Sequence, residues 1–141
     1  MEAQLTLELL LAEDDEGHAL LLERALRRGG VRNGLRHFRD GEDLLTFLRR
    51  AAEEGEVRGR YLVLVDVQMP RLGGLGLLRE FRADPRFRDL PVLVLSSAAR
   101  AVEAEEACRL GAPVPLVKPL CLDGFLAAVE EVGCGAGIVR G

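Results

Sequence analysis

Apolar residues in this chain fall into short dense runs, separated by longer stretches in which they recur every third or fourth place. The densest run, L-V-L-V at 62–65, leads into Asp66 and is followed by M-P and the pair Gly73-Gly74. So short a run, with no polar alternation, has the pattern of a strand covered on both faces, as strands of parallel sheets are. Read this way, 5–12, 35–39, 61–65, 91–95 and 114–117 are strands, while 16–28, 42–54, 75–83, 99–110 and 122–132 are helices. Breakers stand where the pattern needs them: Gly29-Gly30 after the first helix, Asp40-Gly41 before the second and Gly55 after it. Asp84-Pro85 stops the third helix and Gly111 the fourth.

Strict alternation of strand and helix with short loops predicts an α/β fold. It is a doubly wound five-stranded parallel sheet, with right-handed crossovers and helices on both faces. Pro113 and Pro115 lie two apart, so their missing N–H groups fall on one side of strand five. That makes strand five an edge, with Val114 and Leu116 expected to donate to strand four.

At 141 residues the chain is long enough for one domain with a full core, 1–132, followed by a short tail, 133–141. With 48% apolar and 30% charged residues and a net charge of −4, it is not a general binder of nucleic acid or anionic membranes. Its three cysteines, Cys108, Cys121 and Cys134, are odd in number and scattered, the pattern of reduced thiols. The N-terminus carries acids rather than a basic region before a long apolar core, so no signal or membrane span is expected and the location is read as cytoplasmic. One compositional fact is pointed: among 19 Lys and Arg residues, Lys118 is the single lysine. A site wanting a compact ammonium on a flexible stem rather than a planar fork would select it.

In open sheets of this kind ligands sit beyond the carboxyl ends of the strands, where strand order reverses. The residues there are Glu13, Asp14 and Asp15 after strand one, Asp66 after strand three, Ser96 and Ser97 after strand four, and Lys118 after strand five. Two carboxylates about 4 Å apart repel by roughly 4 kcal/mol at an effective dielectric near 20, so Glu13, Asp14 and Asp66 require a positive companion. Hard oxygen donors, with no His or Cys in the pattern, favour Mg2+, with Mn2+ or Ca2+ as alternatives; the backbone carbonyl of Gln68 would complete the set. Mg2+ held by carboxylates suits phosphoryl chemistry, with Ser96 and Lys118 as partners for two phosphoryl oxygens and Asp66 as the nucleophile. Asp15 and Glu16 are read as acids of a helix N-terminus, His18 as exposed or a partner contact, and His37 as a packed or rim residue.

These residues resemble the receiver domains of two-component response regulators. The likeness covers essentially the whole chain and rests on A-E-D-D, V-D-V-Q-M-P, L-S-S-A and V-K-P in order, with 30 residues from Asp66 to Ser96 and 52 to Lys118. It implies Asp66 as phospho-acceptor, Glu13 and Asp14 as a metal-binding acidic pair, Ser96 as switch hydroxyl, Lys118 as phosphate-sensing lysine, and a flavodoxin-like strand order of 2-1-3-4-5. The segments H-F-R-D-G-E-D-L-L-T-F-L-R-R, A-D-P-R-F-R-D-L-P-V-L-V-L-S-S and D-G-F-L-A-A-V-E-E-V are similar to single-domain regulators found with bacterial phytochromes. That narrower likeness implies a light-sensing histidine kinase upstream. It also implies a homodimer through the helix 4, strand 5 and helix 5 face, aided by the tail; the broader likeness to receivers implies a cis peptide at Lys118-Pro119.

The chain departs from the family twice. Pro115 stands where receivers usually carry an aromatic ring, and Gly73 stands where they often carry an acid or amide, which puts the order of the loop after Asp66 in question. The leading expectation is a stand-alone switch phosphorylated on Asp66, not an enzyme, with no DNA-binding segment following 132. A receiver-like adaptor that takes no phosphate, prompted by Pro115, is one alternative. A Mg2+-dependent phosphohydrolase is another, though such enzymes usually place an acid where Gln68 stands. Without a G-x-x-x-x-G-K or G-x-G-x-x-G after strand one, a nucleotide enzyme is disfavoured.

Overall fold

A computed structural model describes residues 6–55, 57, 59–69, 71–97 and 101–141. Leu5, at the expected start of strand one, Pro70, Ala98, and the first two expected residues of helix four lie outside the described residues.

The elements run β1 (Glu8–Ala12), α1 (Glu16–Arg28), β2 (Leu35–Phe38), α2 (Gly41–Glu54), β3 (Tyr61–Asp66), α3 (Gly74–Ala83), β4 (Val92–Ser96), α4 (Ala101–Arg109), β5 (Leu116–Val117) and α5 (Leu122–Glu131). All four strand pairings are parallel and the sheet order is β2-β1-β3-β4-β5, as expected. Every residue of β3 and β4 is buried, which explains their unbroken apolar runs, whereas edge strand β2 is at best half-buried and correspondingly mixed.

Alternation along the central strands feeds two cores. Leu10, Val63, Val65, Val92 and Val94 face the layer of Leu44, Leu48, Leu77 and Phe81 from α2 and α3. Leu9, Leu11, Leu62, Leu64, Leu93 and Leu95 face Leu22, Leu26, Phe125 and Val129 from α1 and α5. At about 1.5–3 kcal/mol per large side chain taken out of water, these two layers are the main force fixing strand register. Asp15 caps α1 by accepting from the His18 backbone N–H at 3.0 Å, and Asp40 caps α2 by accepting from Asp43 N–H at 2.9 Å. Glu16, in the first turn of α1, pairs with Arg39.

Strand five is shorter than its pattern implied. β5 pairs only with β4, through Leu95 with Leu116 and Ser96 with Val117, and the Lys118 N–H donates to the Ser96 carbonyl at 2.9 Å. Val114 precedes the ladder and is 63% exposed, so only the Leu116 half of the expected Val114 and Leu116 pair lies in the strand. The cause is the φ near −65° that Pro113 and Pro115 impose, well short of the parallel-strand value, which turns the chain away from β4 ahead of Leu116. The Lys118–Pro119 peptide is cis.

Residues 133–141 lie on their own domain. The Asn33 side chain, 1% exposed, donates to the carbonyls of Leu7 and Gly137 and accepts from the Val139 N–H at 2.8 Å. Val31 forms an antiparallel bridge with Arg140, and Gly141 N–H donates to Gly30 O at 2.8 Å. Among the described residues no helix is long and apolar enough to cross a membrane.

Candidate functional site

Parallel strands bring their carboxyl ends to one rim, and register decides which residues meet there. Glu13 follows β1 directly, Asp66 and Ser96 end β3 and β4, and Lys118 follows β5. Glu13 is 2% exposed, Asp66 7% and Ser96 6%, whereas Asp14 is open to solvent. Glu13, Asp14 and Asp66 each offer a carboxylate oxygen within 4.8 Å of the others.

Lys118 reaches into this group. Its Nζ donates to Glu13 Oε1 at 2.5 Å and to Asp66 Oδ2 at 2.6 Å. The remaining oxygens are tied by backbone, with Gln68 N–H on Asp66 Oδ1 at 3.0 Å and Asp15 N–H on Glu13 Oε2 at 3.3 Å. Burial raises the Glu13 carboxyl above its ordinary range, the Lys118 and Asp15 hydrogen bonds pull it back, and the Asp66 charge pushes it up again. For Lys118, burial favours the neutral amine, but the two carboxylates outweigh that and hold the ammonium above its usual range.

Two histidines complete the rim: His37, expected as a packed or rim residue, and His18, expected only as exposed or a partner contact. His18 stands on the first turn of α1, half-exposed as expected, yet its Nδ1 lies 3.1 Å from Lys118 Nζ. An ammonium only donates, so Nδ1 is the acceptor and any ring proton sits on Nε2. His37, the third residue of β2, places Nε2 2.7 Å from the Glu13 carbonyl; a carbonyl only accepts, so His37 donates and fixes the turn that presents Glu13. The absence of histidine near the acids therefore holds for the linear pattern and not for the fold. A clue was available for His18, which lies three residues after the N-cap Asp15, where a side chain points back over the helix N-terminus toward the rim.

The described end of the loop after Asp66 is closely packed despite Gly73. A Cβ on Gly73 would come within 2.6 Å of the Val67 carbonyl oxygen, and one on Gly74 within 2.7 Å of the Asp66 carbonyl oxygen, so the absence of side chains lets the loop fold back onto the end of β3. Gly74 N–H then donates to Val67 O at 3.2 Å.

Three hard carboxylates on a shared rim fit a small divalent cation, and the ammonium among them shows that the fold already needs positive charge there. A parallel sheet in this order, with these acids and this lysine at its carboxyl edge, defines a receiver domain. The chain belongs to the response regulator receiver domain family, whose model matches residues 9–130.

Among its relatives, the "probable methanogenesis regulatory protein FilR2" of Methanothrix harundinacea is 31% identical over 94% of this chain and 84% of its own length. The transcriptional regulatory protein ZraR of Escherichia coli O157:H7 is 32% identical but matched over only 26% of its length, so this chain corresponds to about a quarter of that protein. Among solved structures, the bacteriophytochrome response regulator AtBRR superposes with a TM-score of 0.78 at 26% identity, covering 92% of this chain and 94% of its own. The bacteriophytochrome response regulator RtBRR does so with 0.77 at 30%, covering 92% and 79%.

Proposed function

We propose that this chain is a phosphorylation-controlled switch that accepts a phosphoryl group on Asp66 from the phosphohistidine of a sensor histidine kinase. An Asp66 carboxylate oxygen attacks phosphorus, a P–O bond forms, and the P–N bond breaks with its electron pair returning to the imidazole nitrogen. Mg2+, with Mn2+ as the alternative, would be held by Glu13, Asp14, Asp66 and the Gln68 carbonyl, and when bound supplies charge neutralisation for the phosphoryl oxygens. Lys118 and the Ser96 hydroxyl take the other oxygens, Lys118 by exchanging its present bond to Asp66 Oδ2 for one to phosphate. The product is a signal rather than a turnover.

The observation that carries this reading is the convergence of a buried Asp66, two further acids and the chain's one lysine, with Nζ 2.6 Å from the proposed nucleophile. The likeness to bacteriophytochrome response regulators supports a phytochrome-type kinase as the upstream partner, and we place the protein in the cytoplasm on the sequence reading of its N-terminus. We take 1–132 as the receiver domain and 133–141 as its tail. A homodimer would use the α4, β5 and α5 face, where Val114 and Val117 are 63% and 50% exposed.

Phosphotransfer from a purified phosphorylated phytochrome-type kinase, with Mg2+, tests the reading. Acid-labile phosphate on the wild type and none on Asp66→Asn is the expected result. Equal labelling of both, or none of either with kinase or acetyl phosphate, would sink it, the latter in favour of an adaptor.

A further inference from the structure

We propose that Arg71 is a positioning residue: tied to the N-terminus of α2, it holds the β3–α3 loop in the shape that completes the cation site, and so sets the affinity for Mg2+. The inference rests on the reading of the Glu13, Asp14 and Asp66 cluster as a metal site, but its structural half stands independently.

Arg71 occupies an unusual position. Its φ is +70°, making it the one non-glycine residue with positive φ among the described residues. A side chain in that region is disfavoured by contact between Cβ and backbone, and such a conformation persists only where the surroundings impose it. Here the surroundings are two carboxylates of α2. Arg71 Nη1 lies 3.3 Å from Asp40 Oδ2, and Nη2 donates to Glu42 Oε2 at 2.9 Å. Asp40 is itself fixed, 7% exposed and spending its other oxygen on the helix cap. Its neighbour Gly41 packs so closely beneath the Leu72 carbonyl that a Cβ there would collide.

The loop therefore has two kinds of anchorage. Its base is bonded to β3 through Gly74 N–H on Val67 O, and its apex is bonded to α2 through Arg71. Between them lies Gln68, whose N–H holds Asp66 Oδ1 and whose carbonyl is the proposed metal ligand. A receiver with an acid or amide at position 73 has a side chain available to order this loop; this chain has Gly73 and an arginine two residues earlier. If the apex is released, the Gly74 N–H bond to Val67 O is left as the loop's main hold and opens more often, and the direction of the 68 carbonyl is no longer fixed. The consequence falls on metal affinity more than on stability.

Mg2+ titrations of the full chain, alongside amide hydrogen exchange over 67–74, test this in wild type, Arg71→Ala, Arg71→Gly and the double variant Asp40→Asn/Glu42→Gln. Asn keeps the cap at position 40 while removing the charge. The expected result is about a tenfold loss of Mg2+ affinity in all three variants, and faster exchange at Gly74. Arg71→Gly is the decisive variant, because it relieves the positive φ: it should melt close to wild type and still bind Mg2+ weakly. Wild-type affinity and wild-type exchange in all three would overturn the proposal, leaving Arg71 as a surface ion pair. If wild type binds no Mg2+ at all, the metal reading fails separately, and unchanged exchange at Gly74 would then overturn the latch as well, whereas faster exchange would uphold it.

Discussion

Replacing Lys118 by Met keeps most of the stem and removes the charge, leaving Glu13 and Asp66 facing each other with side chains only 3% and 9% exposed. Removing one partner of a buried ion pair costs about 3–5 kcal/mol, because the remaining charge has lost its water and its counterion together. With the lysine side chain itself 13% exposed, the lower end applies, about 3 kcal/mol at pH 7 in the absence of divalent cations. The deficit should depend on pH. Burial has already raised the Glu13 carboxyl, and losing Lys118 removes its hydrogen bond and charge, the larger of the two influences that pull it down, leaving only the Asp15 N–H, so it rises further. A carboxyl raised in the folded state binds its proton more tightly there than when unfolded. Its contribution is therefore fully present below the unfolded value and lost as pH rises through the folded one. Acidification through the carboxylate range should recover much of the Lys118→Met loss.

Urea denaturation at several pH values, run as a cycle with Glu13→Gln, measures this. The double variant should be less destabilised than the sum of the singles by about 2 kcal/mol. Mg2+ should bind Lys118→Met at least tenfold more tightly, about 1.4 kcal/mol, since a competing cation has left its ligands. A cost under about 1 kcal/mol, unaffected by Glu13→Gln or by Mg2+, would show that Lys118 makes only an exposed surface pair and would refute the charge argument.

Two further outcomes follow from other parts of the fold. Asn33→Ala leaves the Leu7 carbonyl and the Val139 N–H without their side-chain partner, so we expect about 2 kcal/mol of destabilisation and faster amide exchange confined at first to 137–141. Burial raises the Cys134 thiol above its ordinary value while Cys108 and Cys121 are exposed. Mass-resolved alkylation near pH 8 should accordingly modify Cys108 and Cys121 first, with Cys134 following only at higher pH, where its thiolate forms; equal rates at all three would contradict the packing around the tail.

What could be read from the residues divides along a physical line. The meeting of Glu13, Asp14, Asp66 and Lys118 was legible because a parallel α/β alternation forces every strand's carboxyl end onto one rim, and residues directly after a strand inherit that place; the strand order came from the resemblance to receivers, since alternation alone leaves it open. The helix caps were legible for the same local reason, Asp15 and Asp40 each standing just before an apolar stripe. The roles of His18 and His37 were not, because each depends on a side chain crossing from one element to the turn of another, at separations of 100 and 24 residues. The tail was read only as a short extension aiding a dimer; what seats it on the same chain is one buried amide, Asn33, from 104 residues away, a contact no local pattern announces. Strand five was over-read because alternation registers hydrophobicity and not the φ that its prolines impose.

The same prolines bear on how a phosphorylated state would be felt. All three donors of the Lys118 ammonium are engaged, by Glu13, Asp66 and His18, so a phosphoryl group on Asp66 can gain this cation only by taking it from present partners. The lysine cannot respond as a free arm, since its backbone N–H is bonded to Ser96 O at the end of β4. Pro115, buried at the start of this edge, has no aromatic side chain to swing inward, so the route through an aromatic rotamer is closed. A pull on Lys118 is instead shared between the last bond of β5 and the β5–α5 loop, where Leu120 packs into the α1 and α5 core. With only Leu116 and Val117 in the ladder, β5 is the element least able to resist that pull, and on the proposed function its exposed edge is the surface whose shape phosphorylation alters.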